Sequence, residues 1–273
     1  MLNDQQVQAY LERLGYDGSP RANRETLDSL IYLNQSTIPF ETVTLHRGGA
    51  LPSLDVDDIY QKIVVERFGG YCFELNKLFE ALLQGLGFDV RPVLCRAVRG
   101  RDSLMPINHR GMIVNLEEGP ASADVGFGGP MPSGALLLAH ATEQNINGET
   151  YISHRHDDVW WHVDRVTQST KDLYDDHLPE RRQTELALCT AKVEELDFDS
   201  LNQVFSAPGT LFRDHEIVNL RTEGGYYGLK DGVLTKRVNG TKEIVELANP
   251  EDVDQVLADV FGMVNIKDWP KAE

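Results

Sequence analysis

Only three cysteines occur, Cys72, Cys95 and Cys189. An odd, sparse set at unrelated spacings excludes a disulfide framework and suits a reducing compartment, so a cytoplasmic location is expected. No apolar run approaches the ~18 residues that a membrane span needs. The segment MLNDQQVQAY has neither a basic nor an apolar stretch, so no secretory signal is expected. Positive charge is scarce, with 26 Lys and Arg against 43 Asp and Glu and a formal net charge of −17. Such a surface repels nucleic acid and anionic lipid at long range, and neither is an expected partner. Internal repeats, low-complexity tracts and heptads are missing too. The remainder reads as globular: 41% hydrophobic and 25% charged residues in 273, a length that predicts about two domains.

The first third reads as helices. Val7, Tyr10, Leu11 and Leu14 form one stripe over 4–14, stopped by Gly15, and Asn23 caps a second helix over 24–33. The aspartates at 55, 57 and 58 start a helix over 55–66. Leu75, Leu78, Phe79, Leu82, Leu83 and Leu86 give a wide apolar face from Cys72 onward, closed by Gly85 and Gly87. The middle is different. Short Val-rich runs over 89–98, 111–116, 121–127, 151–154 and 159–163 predict strands, with a hairpin at Glu117-Glu118-Gly119-Pro120. Residues 165–205 are polar, with strand and turn pieces expected around 186–193. Strands over 226–229, 233–238 and 244–247 follow, the last after Asn239-Gly240. Asn249-Pro250-Glu251-Asp252 then opens a helix with Val253, Val256, Leu257, Val260 and Phe261 as its buried stripe. The order is a helical bundle over 1–87, a β-domain over 88–196 and an α/β segment over 197–273, an α+β chain.

The stretch Gly69-Gly70-Tyr71-Cys72-Phe73-Glu74-Leu75-Asn76 carries most of the chemistry. Two glycines allow a tight turn into the following helix. Cys72 then sits at a helix N-terminus, where free N–H groups and the dipole favour an anion and can receive a developing oxyanion. A small buried core residue is the competing reading of any free cysteine, and it fits Cys95 and Cys189 better. A reactive cysteine needs a base, and the base an orienting acid. A hairpin turning at 117–120 brings His109 and Asp124 close, giving Cys, His and Asp in that chain order. A plain surface strand histidine is the alternative. His154, His156 and His162 could instead hold zinc, but no second ligand pair of matching spacing appears, so no metal is expected. Gly126-Phe127-Gly128-Gly129-Pro130 permits close backbone approach to a ligand such as a phosphate, or is a glycine turn only. Asn239-Gly240-Thr241 matches a glycosylation sequon without a secretion signal to support it. The runs Asp172/Asp175/Asp176 and Glu194/Glu195/Asp197 read as solvated faces.

Together these residues resemble the arylamine N-acetyltransferases in their shorter bacterial form. The match runs through Ile38-Pro39-Phe40-Glu41, the Gly69–Asn76 block, His109, and Ala123-Asp124-Val125-Gly126-Phe127-Gly128-Gly129, and covers about the first 130 residues clearly. The resemblance implies a helical bundle, a β-barrel and an α/β lid around a catalytic core related to papain-like cysteine enzymes. It implies the triad Cys72, His109 and Asp124. It suggests an acceptor pocket lined by Phe40, Tyr71, Val98, Phe127 and Phe212. Coenzyme A would lie along Gly126, Phe127, Gly128 and Gly129 and near Met105, Pro106 and Asn108. At one position the chain departs from the family. An Arg usually precedes the Gly-Gly and is expected to pair with the Glu of the Pro-Phe-Glu block, here Glu41. This chain has Phe68 there and Arg67 one residue earlier. Either Arg67 reaches Glu41 by another path, or the pair is lost and Phe68 packs instead.

The expected reaction is acetyl transfer from acetyl-CoA through a Cys72 thioester to an arylamine, arylhydroxylamine or hydrazine, in ping-pong order. Detoxification is one role it would serve. Coenzyme A is polyanionic, so a local basic patch must offset the global charge, with Arg96, Arg99, Arg101 and Arg110 as candidates. A macrolactam-forming amide synthase, a cysteine hydrolase and a silent binding domain are the competing readings. A monomer or small homo-oligomer is expected.

Overall fold

The structure, a computed structural model, describes residues 1–167, 181–266 and 269. The acidic run at 172–176 lies outside the described residues. Helix α1 (Asp4–Leu14) begins with a reciprocal cap. The Asn3 side chain accepts from Gln6 N, the Gln6 side chain accepts from Asn3 N, and Gly15 ends the helix at φ 68°. Asn23 caps α2 (Arg24–Thr37) in the same sense. Their apolar stripes close on α5 (Cys72–Gly85), in which every residue from Cys72 to Leu83 except Lys77 is buried. A helix apolar on nearly all sides belongs at the centre of a bundle.

Between α2 and α5 lie a two-residue strand, β1 (Phe40–Glu41), and the short helices α3 (Val43–Gly48) and α4 (Val56–Tyr60). The single helix expected over 55–66 is in fact α4 running into a π-helical turn, Gln61–Val65, where Glu66 N bonds Gln61 O five residues back. The wider turn spreads successive side chains over a smaller arc. It lets Lys62, Ile63 and Val64 all face inward.

An antiparallel sheet follows: β2 (Asp89–Ala97), β3 (His109–Leu116), β4 (Gly119–Ala123), β5 (Leu136–Leu137), β6 (Thr142–Ile146), β7 (Glu149–Arg155), β8 (Trp160–Thr167) and β9 (Arg181–Cys189). Their spatial order is β5-β4-β3-β2-β9-β8-β7-β6. The two edges meet through side chains. Gln144 and the Leu137 backbone exchange two bonds of 2.9 Å, and Ser153 Oγ donates to Leu137 O at 2.7 Å. The sheet is thereby a nearly closed barrel around Val93, Cys95, Ile113, Leu136, Tyr151, Val163 and Leu188. The expected hairpin is present, with Leu116 paired to Gly119 across Glu117-Glu118.

The last part holds α6 (Leu196–Phe205), α7 (Leu211–Asp214), strands β10 (Ile217–Thr222), β11 (Gly225–Lys230), β12 (Val233–Val238) and β13 (Thr241–Glu246), and α8 (Pro250–Asp259). Its sheet runs β1-β10-β11-β12-β13, so it borrows its first strand from the N-terminal segment. Val253, Leu257 and Phe261 seat α8 and the turn after it on Val218, Leu229 and Leu234. Each fully buried side chain of this size contributes about 1.5–3 kcal/mol. Phe198 of α6 packs back into the helical core. The α+β arrangement of bundle, barrel and final mixed layer is the one expected. The interleaving of β1 and α6 was not.

Candidate active site

Cys72 is the first residue of α5 and is 2% exposed. The turn before it needs its glycines: a Cβ on Gly69 would collide with Pro39 O. Gly70 is laced to the preceding segment, accepting from Glu41 N at 2.9 Å and donating to Pro39 O at 3.3 Å. Glu74, three residues into the cap, accepts the Tyr71 N–H at 3.1 Å. The thiol therefore sits at a helix start whose own N–H groups are aimed at it.

His109 opens β3 and Asp124 follows β4. The pairing of Met112 with Ala123 puts both at the same barrel end. Each is 3% exposed. His109 Nε2 lies 2.6 Å from Asp124 Oδ2, and His109 and Cys72 line the same cavity. With Nε2 committed to Asp124, Nδ1 is the ring nitrogen left for sulfur. Burial alone would lower the imidazole pKa. The Asp124 charge, its hydrogen bond and the Cys72 contact outweigh burial, and the value is pushed up to about 10. Asp124 Oδ1 accepts from Gly126 N at 2.8 Å and from Asn76 Nδ2 at 2.9 Å, while Asn76 Oδ1 accepts from Val125 N at 2.9 Å. Asn76 went unremarked as a functional residue. Its one signal is its place a helical turn after Cys72, on the same face of α5.

The departure at Phe68 resolves along the second path, with a replacement cation that the sequence did not anticipate. Phe68 is buried, edge-on to Trp269 at 4.7 Å between ring centroids. Glu41 still has a cation, but it is Lys62, 3.1 Å away, which also bonds Glu74 at 2.8 Å.

A cavity of about 390 Å³ opens onto Cys72 and His109. Its walls bring together Phe40, Phe127, Phe212, Met105, Pro106, Asn108, Gly126 and Gly128, all anticipated from the sequence. They also include Arg99, anticipated as a cation for the coenzyme, and Ala97, Phe205, Leu211 and Asn219, which were not anticipated. Gly129 lines an adjoining cavity of about 190 Å³. Tyr71 stands behind the wall, its hydroxyl on Asn202 and its ring edge-on to Phe212 at 6.0 Å. Val98 is elsewhere, in a cavity of about 590 Å³ beside Arg96 and Trp160. The extended backbone leaving β2 alternates, so Ala97 and Arg99 face the cleft while Arg96 and Val98 face away.

The four candidate arginines separate in the same way. Arg110 is 1% exposed and committed to Glu80 and Glu195, each at 2.7 Å, so it is no surface cation for a phosphate. Arg96 lies over the Trp160 ring and donates to Met105 O. Arg99 donates to Phe127 O at 2.8 Å and stacks on the Phe127 ring, whose edge meets His109 at 5.5 Å. Arg101 is exposed on the cleft rim.

His154 and His156 pack against the His162 ring at 5.0 and 4.4 Å, but among the described residues no group of three or more His, Cys, Asp or Glu is arranged to hold a metal. Cys95 is fully buried in the barrel, where burial holds its thiol well above the ordinary range. No helix among the described residues is long and apolar enough to cross a membrane.

A family model described as N-acetyltransferase matches residues 23–268. The chain is 34% identical to an arylamine N-acetyltransferase of Escherichia coli (strain K12) over 262 residues, covering 93% of this chain and 87% of that one. The solved arylamine N-acetyltransferase from Salmonella typhimurium superposes with a TM-score of 0.84 at 27% identity, covering 96% and 92% of the two chains. The Mycobacterium marinum enzyme solved in complex with CoA shares the fold, with a TM-score of 0.84 at 24% identity over 96% and 94%. A family match across nearly the whole chain, together with a cysteine, an imidazole and a carboxylate in one cleft, places this chain in the arylamine N-acetyltransferase family.

Proposed function

We propose that the chain transfers an acetyl group from acetyl-CoA to an arylamine, arylhydroxylamine or hydrazine by way of a Cys72 thioester. The observation that carries this reading is the His109–Asp124 pair at 2.6 Å, sharing one cavity with Cys72 at the start of a helix. Asp124 fixes the tautomer and supports a positive imidazole, which pairs with a Cys72 thiolate across Nδ1. The thiolate attacks the thioester carbonyl. The helix-start N–H groups receive the oxyanion, and the coenzyme thiolate leaves with the His109 proton. An amine then attacks the acyl carbon, and His109 takes up its proton as the cysteine is regenerated. An aromatic amine is uncharged near neutrality, so it enters an apolar cleft walled by Phe40, Phe127 and Phe212 as a competent nucleophile.

In this reading the nucleophile belongs to residues 1–87, the base and its carboxylate to 88–196, and one wall to 197–273. The donor's pantetheine arm runs past Met105, Pro106, Asn108 and the Gly126–Gly128 turn. Arg99 and Arg101 are the cleft cations nearest its phosphates. The test is intact-mass spectrometry after brief exposure to acetyl-CoA, with Cys72→Ala as control. One acetyl adduct on Cys72 that an added arylamine discharges is expected. An adduct that no amine discharges would point to a different acceptor, and no adduct on an accessible, reduced Cys72 would overturn the donor.

A further inference from the structure

The reaction scheme leaves one buried cation without a task. The ammonium of Lys62 lies between Glu41 Oε1 at 3.1 Å and Glu74 Oε1 at 2.8 Å. The side chains are 12%, 0% and 4% exposed respectively, so little water screens the three charges. Both glutamates hold the cysteine turn, Glu74 through its carboxylate and Glu41 through its backbone N–H. Glu74 uses its other oxygen to cap the Tyr71 N–H at 3.1 Å, so it brackets Cys72 from the C-terminal side while holding the residue before it. Glu41 accepts from Thr44 N and Oγ1 at 2.8 and 2.7 Å, and its own N–H binds Gly70 O at 2.9 Å. The π turn is what delivers Lys62 to this place. Burial and the neighbouring Glu41 both push the Glu74 pKa up, and Lys62 is the cation that opposes them.

We propose that Lys62 is a positioning residue for Cys72, its ammonium holding the Glu74 carboxylate as the cap of the helix that Cys72 begins. The proposal rests on the reading of Cys72 as the acylated group. It accounts for the apolar residue at Phe68: Glu41 takes its cation from Lys62, which leaves position 68 to pack on Trp269. Removing the ammonium leaves two buried carboxylates facing each other beside a helix start meant to carry an anion. Either Glu74 takes a proton or the cap opens. In both cases Cys72 loses alignment with His109 and the helix N–H groups.

The test follows alkylation of Cys72 by iodoacetamide as a function of pH, together with steady-state acetylation, in the full chain and in Lys62→Met, Lys62→Arg, Glu74→Gln and the Lys62→Met/Glu74→Gln pair. Lys62→Met should slow alkylation at neutral pH by about tenfold or more and displace its pH profile, with kcat falling and the KM for amine nearly unchanged. Lys62→Arg, which keeps the charge, should stay within about threefold of the parent. In the Glu74→Gln background, where no charge remains on the cap, Lys62→Met should cost less than about threefold. A folded Lys62→Met protein with the parent's alkylation profile would overturn the proposal, as would an undiminished loss in the Glu74→Gln background. If Lys62→Met alone fails to fold by circular dichroism, the Glu74→Gln comparison carries the decision. A parent Cys72 that reacts no faster than Cys95 would instead overturn the assignment of the nucleophile itself.

Discussion

Asn76 holds Asp124 from the same helix that carries Cys72: its amide donates to Asp124 Oδ1 at 2.9 Å and accepts from Val125 N at 2.9 Å. The carboxylate paired with His109 is therefore tied directly to the helix that begins with Cys72, and one side chain links the two halves of the proposed site. Asn76→Ala should remove these bonds and the one its amide donates to Arg110 O, leaving a buried N–H unpaired and costing about 1–3 kcal/mol of stability. Acylation should slow by about tenfold or more as the imidazole loses its alignment. Thermal unfolding and single-turnover acetylation, run on the same preparation, check this. A variant as active as the parent would show that Asp124 needs only His109 and Gly126 to keep its place.

The charge state of His109 sets the alkaline limit. Its pKa is raised from 6.5 to about 10, so the stability its charge contributes is fully present below pH 6.5 and is lost as the pH rises toward 10. Urea resistance should therefore be flat below pH 6.5 and decline steadily between pH 6.5 and 10. Asp124→Asn should remove most of that dependence. Urea midpoints measured between pH 6 and 10.5 on both proteins decide the matter, and parallel curves would count against it.

Putting the family residue back at position 68 should harm this chain. Phe68 packs among Val43, Val218 and Leu257 and against Trp269, and Glu41 is already matched by Lys62. Phe68→Arg would bury a second cation and remove an aromatic contact, at a cost of about 3 kcal/mol or more. A thermal midpoint unchanged or raised in Phe68→Arg would mean the pocket opens to water.

Gly126 is constrained by the backbone of Cys72 itself. A Cβ there would sit 2.9 Å from the Cys72 Cα and 3.0 Å from Asn76 Nδ2. Gly126→Ala should push the turn after Asp124 away from α5, lowering kcat by about tenfold or more and stability by about 1–3 kcal/mol. Kinetics and melting curves on this variant should move together; an intact kcat would show that the turn gives way without disturbing the site.

Arg99 joins the cleft rim to the catalytic ring through Phe127. Arg99→Ala should raise the KM for the acyl donor more than it lowers kcat. Lysine should not restore it, because an ammonium cannot reproduce the stacked, planar fork. Added salt should raise the parent's donor KM more than the variant's, since exposed charges are screened over about 8 Å at physiological ionic strength.

Much of this was legible in advance, for reasons that differ by element. α1, α2, α5 and α8 carry an apolar stripe at helical spacing, and α2 and α8 start where the capping Asn23 and Asn249 place them. α6 was not legible, because only Phe198 and Asn202 of its ten residues are buried and the rest reads as polar loop. β1 is two residues long and exists only because β10 pairs with it from the far end of the chain. The cysteine, histidine and aspartate were readable as chemistry at recognisable positions. Lys62 was not: nothing in Val56–Val65 distinguishes a lysine turned inward by a π turn from one in water. Arg110 fails in the opposite direction, a basic residue on a strand that proves to be among the most buried side chains present.

The sharing of β1 between the cysteine turn and the final sheet has a consequence in time. Phe40 bridges Gly70 on one side and pairs with Asn219 on the other. A growing chain carries Cys72, His109 and Asp124 well before β10 exists. At about 5–20 residues per second, synthesis of the intervening segment takes about 5–20 seconds. During that interval the wall formed by Phe212, Ile217 and Asn219 is missing and the thiol faces the solvent. A ribosome-stalled chain ending before Ile217 should leave Cys72 little more reactive than an ordinary thiol, so that release from the ribosome, rather than emergence of the triad, marks the birth of the nucleophile.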